Sequence, residues 1–275
     1  MKTRLLLNQK TWSWYNMKNL RKYGNLPFNV ALIHGGPGTP GEMAPVAREL
    51  SIIRGVLEPL QTKATLEGQV RELKAVLEEH TDLPVTLSGF SWGAMLSFIF
   101  TARHPEFVKK LILVGSGPYE EKYAANIMKI RINRLSKVDR EETFSLMLVL
   151  NDLSPGDKNA SLARFGQLIS LADSYDSLPH NNELLECRYD INKNVWEEAS
   201  EFRSSGKLLE LGKTIYCPVV AIHGDYDPHP FEGVRDPLSR VLKDFRFILL
   251  EKCGHMPWIE REAKEKFYNL LKKEI

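Results

Sequence analysis

The sequence predicts an α/β fold: a mainly parallel sheet flanked by helices, with a helical cap inserted between two strands. Three observations carry this. Short β-rich apolar runs alternate with helical runs, the pattern of βαβ units. Several of those runs end in a glycine turn. The rhythm breaks after Pro118 and resumes at Lys213. A chain of 275 residues has room for one large domain carrying such an insertion.

The elements follow in order. The opening MKTRLLLNQK has an apolar run of only Leu5 to Leu7, too short for the core of a signal peptide. The stretch before residue 28 lacks a clear pair of opening strands. Within it, TWSWYN (11–16) reads as a packing patch, with an edge strand or a partner surface as the alternatives. FNVALIHGG (28–36) is a strand ending in a glycine turn. TLEGQVRELKAVLEEH (65–80) aligns Leu66, Val70, Leu73, Val76 and Leu77 on one helical stripe. LPVTLSG (83–89) is a short strand, and WGAMLSFIFTARHP is a mostly buried helix stopped by Pro105. FVKKLILVGSGP gives another strand and glycine stop. Residues 119–212 lack convincing strands and read as short helices and loops, mildly acidic in balance. IYCPVVAIHGD and FRFILLEKCGH restore the strand-then-turn form. EREAKEKFYNLLKKEI closes the chain as an amphipathic helix with Lys272 and Lys273 in its last turn, where the helix dipole favours cations. The organisation is therefore a sheet core over 1–118 and 213–275 with a helical cap over 119–212.

Composition removes several function classes. Lys and Arg total 37 against 35 Asp and Glu, and no basic block stands apart, so no nucleic-acid footprint or attraction to an anionic membrane is predicted. No window supplies the apolar length needed to span a bilayer. The three cysteines, Cys187, Cys217 and Cys253, are scattered and odd in number. They read as reduced thiols of a cytoplasmic protein. Oligomeric state is not encoded in any of this.

Chemistry concentrates where strands end, which is where such sheets bind ligands. Ser91 stands in GFSWG between a strand and a helix. A nucleophilic serine must project from the backbone, and a tight strand-to-helix turn achieves this at the cost of crowding two residues to either side. Gly89 and Gly93 occupy those positions. The rival reading is a serine N-cap in a glycine-rich loop. Serine needs a base, and His255, in the EKCGHMPW loop past the last strand, is placed for it. Asp225 and Asp227, after the preceding strand, are both available to orient that base. HGGPG (34–38), with His34, Gly35 and Gly36, follows the first strand and lets backbone amides approach an anionic intermediate. A phosphate cradle is the rival there, but the G-K-[ST] ending is missing. His223, Asp225, Asp227 and His229 alternate in one loop and could tempt a metal assignment. The glycine and prolines between them break the regular strand that would face them to one side, and no metal is predicted.

HGGPG, the G-x-S-x-G elbow, the post-strand G-x-x-D and the late Gly-His, in this order, resemble the α/β-hydrolase superfamily. They look most like its proline iminopeptidase branch. The resemblance covers about 28–118 and 213–262. It implies Ser91 as nucleophile, Asp227 as acid, His255 as base, and the backbone N–H groups of Gly36 and Trp92 as oxyanion donors. His34, Gly35, Gly89 and Gly93 would support the loops. No cofactor is implied. The expected activity is hydrolysis of a small ester, amide or short peptide through an acyl-enzyme. Carbon–carbon bond hydrolysis, acyl transfer or lyase chemistry on the same triad is the alternative, and a non-catalytic receptor a third. In iminopeptidases cap glutamates grip the substrate's amine, and Glu120, Glu121, Glu183 and Glu186 are the residues on offer here.

Overall fold

The structure, a computed structural model, describes residues 19–152, 157–180 and 185–275. TWSWYN and Glu183 lie outside the described residues. Seven strands form one sheet: β1 (Leu20–Tyr23), β2 (Phe28–Ile33), β3 (Gly55–Pro59), β4 (Val85–Phe90), β5 (Val108–Val114), β6 (Val219–Gly224) and β7 (Phe245–Leu250). Their order is β1-β3-β2-β4-β5-β6-β7, and only β1 runs antiparallel, against β3. An α/β fold with a mostly parallel sheet is what the alternation predicted.

The central strands are buried on both faces, so they read as continuous apolar runs. Their side chains still alternate between two layers. Ala31, Ile33, Leu87, Leu111, Leu113 and Ala221 face one helical layer: α2 (Leu66–His80), α3 (Trp92–Arg103) and α9 (Glu232–Val241). Val30, Leu32, Ile112, Val114, Val220 and Ile222 face the other, where α1 (Ala44–Leu50) and α10 (Lys264–Glu274) pack through Met43, Leu50, Phe267 and Leu271.

The sequence missed the smallest pieces of this frame. β1 is four residues, LRKY, without an apolar repeat, and its place at the sheet edge lets it stay polar. β3 is five fully buried residues, and α1 is seven. Each is too short to display a period.

Between β5 and β6 the described residues contain α4 (Ile127–Arg134), α5 (Lys137–Asn151), α6 (Lys158–Asp173), α7 (Tyr189–Ser204) and α8 (Lys207–Glu210), and no named strand. This insertion is not a detached lobe. Ile191, Val195 and Ala199 of α7 belong to the same apolar cluster as α3, and Trp196 meets Trp92 edge-on at 5.7 Å. Arg188 N–H and the Asn192 amide donate to the carbonyls of Gly38 and Pro37, at 2.7 and 2.9 Å, so α7 also clamps the HGGPG loop. No described helix is long and apolar enough to cross a membrane.

The strand order locates the site. The chain leaves β2 outward to β3, then returns across β2 to build β4. Adjacent parallel strands whose connections depart in opposite directions open a crevice at their carboxyl ends. HGGPG follows β2 and Ser91 follows β4, so both lie at that crevice.

Candidate active site

Ser91 sits at φ 53°, ψ −115°, a conformation an L-residue adopts only under constraint. The constraint is steric. A Cβ at Gly89 would lie 2.1 Å from the Gly93 carbonyl oxygen, and one at Gly93 would lie 2.3 Å from that of Ile33. Both obstacles are backbone, so neither can swing away. Ser91 N–H bonds to Val114 O at 2.9 Å, which ties the turn to β5. The first amide of α3, that of Trp92, and the amide of Gly36 have no backbone partner among the described residues. Gly36 itself has φ 44°, and its carbonyl is held by the Thr39 amide and hydroxyl at 2.9 and 2.7 Å. His34 is fully buried with Nδ1 2.6 Å from Gly35 O, and burial lowers its pKa to about 4. The Trp92 indole donates to Gln69 at 3.0 Å.

Three distant segments meet at this rim. His255 Nε2 is 3.0 Å from Ser91 Oγ, and its Nδ1 is 2.7 Å from Asp227 Oδ2. A carboxylate only accepts, so Nδ1 carries the proton and Nε2 is left to accept from the hydroxyl. Burial alone would lower the His255 pKa. The charge and hydrogen bond of Asp227 outweigh it, and the net shift is upward from 6.5. Asp227 is buried, which by itself would favour its neutral form. The imidazoles of His255, His229 and His223 reverse that and hold it well below the usual carboxylate range.

The choice between the two aspartates is geometric. Asp225 turns away and accepts from Cys253 N–H at 3.1 Å, bracing the loop that carries His255. The alternating metal-ligand pattern therefore does not converge as a set. Asp227, His229 and His255 do approach one another, and the close contacts among them are donor–acceptor pairs. His229 donates to Asp227 Oδ1 from Nδ1 at 2.7 Å and from its backbone N–H at 2.9 Å. His223 Nε2 bonds to His229 O at 2.9 Å. Burial pushes the His229 pKa down to about 4, so its ring stays a neutral donor.

Ser91 and His255 open onto a cavity of about 500 Å³. Its walls are mostly apolar, with Phe90, Met128, Leu162, Phe165, Trp196 and Trp258 among them. The insertion supplies much of that wall. Arg131 of α4 enters it as a bidentate partner of Asp173, both bonds 2.7 Å, and Asp173 is 4% exposed. The Asp173 carbonyl accepts from His255 N–H at 2.9 Å. A larger open groove of about 810 Å³, between Arg103, Tyr119 and Phe202, touches none of these residues.

Sequence reasoning missed several residues here. Glu42, on the loop before α1, lines the cavity beside Gly36. Glu260 is fully buried and accepts from Gly254, Tyr175 and Asp176 N–H at 3.0, 2.9 and 2.8 Å, joining the His255 loop to the end of α6. Neither sits in a recognisable motif. Of the cap glutamates on offer from the family resemblance, the three among the described residues do not face the cavity. Glu120 pairs with Arg240 and Lys122, Glu121 pairs with Arg203, and Glu186 is exposed outside the cavity wall.

Comparison with known proteins agrees with this architecture. Residues 30–262 match the family model described as alpha/beta hydrolase fold. No curated protein matches the chain in sequence. Among solved structures, VinJ is similar at 19% identity, covering 92% of this chain and 93% of its own, with a TM-score of 0.63. The thioesterase domain from the curacin biosynthetic pathway is similar at 20% identity, with 92% and 94% coverage and a TM-score of 0.61. A thermophilic esterase from Thermogutta terrifontis is similar at 17% identity, with 92% and 91% coverage and a TM-score of 0.60. With the family model spanning most of the chain and the strand order, elbow and crevice in agreement, this chain belongs to the alpha/beta hydrolase fold family.

Proposed function

We propose that this chain is a cofactor-free serine hydrolase acting on a small ester, amide or short peptide. One observation carries the reading: the unbroken relay from Ser91 Oγ through His255 to Asp227, at 3.0 and 2.7 Å, beside a cavity large enough for a small substrate. Ser91 attacks the carbonyl carbon while His255 Nε2 takes its proton. The Gly36 and Trp92 amides receive the oxyanion. His255 then protonates the leaving group, and an acyl-enzyme remains. Water attacks next, with His255 again as base, and the acid departs. Asp227 fixes the tautomer and stabilises the imidazolium without itself taking a proton. The insertion acts as a cap that bounds the substrate. The HGGPG loop supports an aminopeptidase-like variant of this chemistry, and the apolar wall supports an esterase. The free thiols Cys187, Cys217 and Cys253 fit a cytoplasmic setting.

A fluorophosphonate probe followed by mass spectrometry tests the mechanism class. Labelling should be confined to Ser91 and vanish in Ser91→Ala. Persistent labelling of that variant, or none of the parent protein, would refute the assignment. A panel of aliphatic esters, aminoacyl anilides and diketones then separates ester, amide and carbon–carbon hydrolysis.

A further inference from the structure

The cavity wall contains a carboxyl oxygen, Glu42 Oε1, that has no hydrogen-bond partner among the described residues. Glu42 follows the HGGPG turn, and this oxygen is shut off from solvent. No ion pair to Glu42 is found there either. Its position is fixed relative to the reacting groups. A Cβ built on Gly35 would meet Glu42 Oε1 at 2.5 Å, so the carboxyl lies against the loop whose next residue, Gly36, offers the free amide. It shares the cavity wall with Ser91 and His255, and it is close enough to feel the charge of His255.

Other buried charges near the site contrast with it. Asp227 accepts three hydrogen bonds, Glu260 accepts three, and Asp173 holds Arg131 through two. Leaving a buried carboxyl oxygen without a donor costs about 1–3 kcal/mol, more when it is charged. A group kept at that cost on the wall of a ligand cavity is matched by a donor that the ligand brings. Burial raises the Glu42 pKa to about 7, with the Gly35 backbone and His255 pulling the other way.

The geometry points to Glu42 as the anchor for a protonated amine carried by the substrate, which places an amine-bearing ester or amide in this cavity. A cation is favoured over a neutral hydroxyl because a charge-assisted bond is about twice as strong as a neutral one and can offset the desolvation of both groups. The arginine and the lysine that line the wall do not compete for the place. Arg131 is committed to Asp173, and Lys264 starts α10 on the cavity rim without an ion pair to Glu42. The residue is thus a specificity determinant, and the inference rests on the serine hydrolase reading for its turnover but not for its binding.

Two matched ester pairs test it. The first carries the amine on the acyl side: leucine methyl ester against methyl 4-methylpentanoate. The second carries it on the leaving group: a 2-aminoethyl ester against the propyl ester. The amine-bearing member of at least one pair should have the higher kcat/KM by about tenfold or more, the factor a charge-assisted hydrogen bond supplies. Glu42→Gln should reduce that ratio toward one, and Glu42→Asp should retain part of it. Equal rates within both pairs, a preference that survives Glu42→Gln, or a hydroxyl analogue as good as the amine would overturn the assignment. If fluorophosphonate leaves Ser91 unlabelled and no ester turns over, the hydrolase reading fails separately. Calorimetric titration of isobutylamine and leucine methyl ester into Ser91→Ala then decides for Glu42. Binding that is lost in the Glu42→Gln, Ser91→Ala double variant upholds it. No binding to Ser91→Ala, or binding unchanged in the double variant, removes it.

Discussion

The two halves of the proposed reactive centre are held by different forces. The nucleophile half is set by repulsion between backbone atoms. Ser91 takes its φ of 53° because β4 must turn at once into α3, and only glycines fit at 89 and 93. The base half is set by buried charge. Asp227 is ringed by three imidazoles, and the loop carrying His255 is fastened by Asp225, Glu260 and the Asp173 carbonyl. One half tolerates almost no change of shape and depends little on charge. The other tolerates isosteric changes of shape but no change of charge. Substitutions in each half should therefore fail in different ways, and that difference can be measured.

The largest effect belongs to the charge-dependent half. Asp227→Asn preserves size, so the protein should fold with little change in Tm. Turnover should nevertheless fall by about 10⁴ because the tautomer and the imidazolium both lose their partner. The pH profile sharpens this. His255 must be neutral to accept a proton, so kcat/KM rises with pH through its pKa. That pKa is raised above 6.5 by Asp227, so the acid limb of the parent enzyme should lie above pH 6.5. In Asp227→Asn the support is gone, and the residual activity should show its limb at lower pH. A limb that does not move would mean that Asp227 does not govern His255.

Gly93→Ala probes the steric half. Its new methyl would meet Ile33 O at 2.3 Å and force the first turn of α3 away from the end of β2. We expect a loss above about 4 kcal/mol, in the range reserved for backbone conflict and core disruption, with stability and activity falling together. Full Tm with lost activity would place the strain elsewhere.

The same division explains what was legible in the sequence. Steric demands are local, so they leave a local pattern. Gly89, Ser91 and Gly93 can be read from five residues, and the crevice follows from the strand rhythm around them. The pairing of Asp227 with His255 was half legible. Chain order indicated an aspartate after β6 and the family resemblance favoured Asp227, but the physical reason shows only when Asp225 is seen bonded to Cys253 N–H. Electrostatic support is not local at all. Glu260 meets Tyr175 and Asp176 across 85 and 84 residues, and Arg131 meets Asp173 across 42. No periodicity marks a glutamate that satisfies backbone amides of another segment. The resemblance pointed to cap glutamates, yet Glu120 and Glu121 prove to be tied up in ion pairs away from the cavity, while Glu42, in an unremarkable loop, faces it.

Asp173→Ala extends the comparison into the insertion. It would leave Arg131 buried with no carboxylate beside it, and loss of one partner of a buried pair costs about 3–5 kcal/mol. The backbone bond from His255 to the residue 173 carbonyl is unaffected by the side chain, so activity per folded molecule should decline less than stability does. Arg131→Met paired with Asp173→Leu should recover much of the lost stability, since apolar replacement of a whole pair is often neutral. Failure of the double variant to recover would mean that the pair also shapes the α4–α6 packing.

The smallest effect isolates the join between core and insertion. Glu260 presents two oxygens to three backbone N–H groups, two from the segment after α6 and one from Gly254. In Glu260→Gln one oxygen becomes an NH₂ group, and whichever way the amide turns it sets donor against donor. The cost should be about 1–3 kcal/mol, the penalty of one unsatisfied buried group, measured as a fall in Tm. Gly254 precedes His255, so the loosened loop should also lower kcat, leaving the acid limb of the pH profile where it was because Asp227 still holds the imidazole. Asp227→Asn moves that limb and spares Tm; Glu260→Gln should lower Tm and spare the limb. If Glu260→Gln moved the limb as well, positioning and charge would not be separable in this half, and the contrast between the two halves would hold only for the serine.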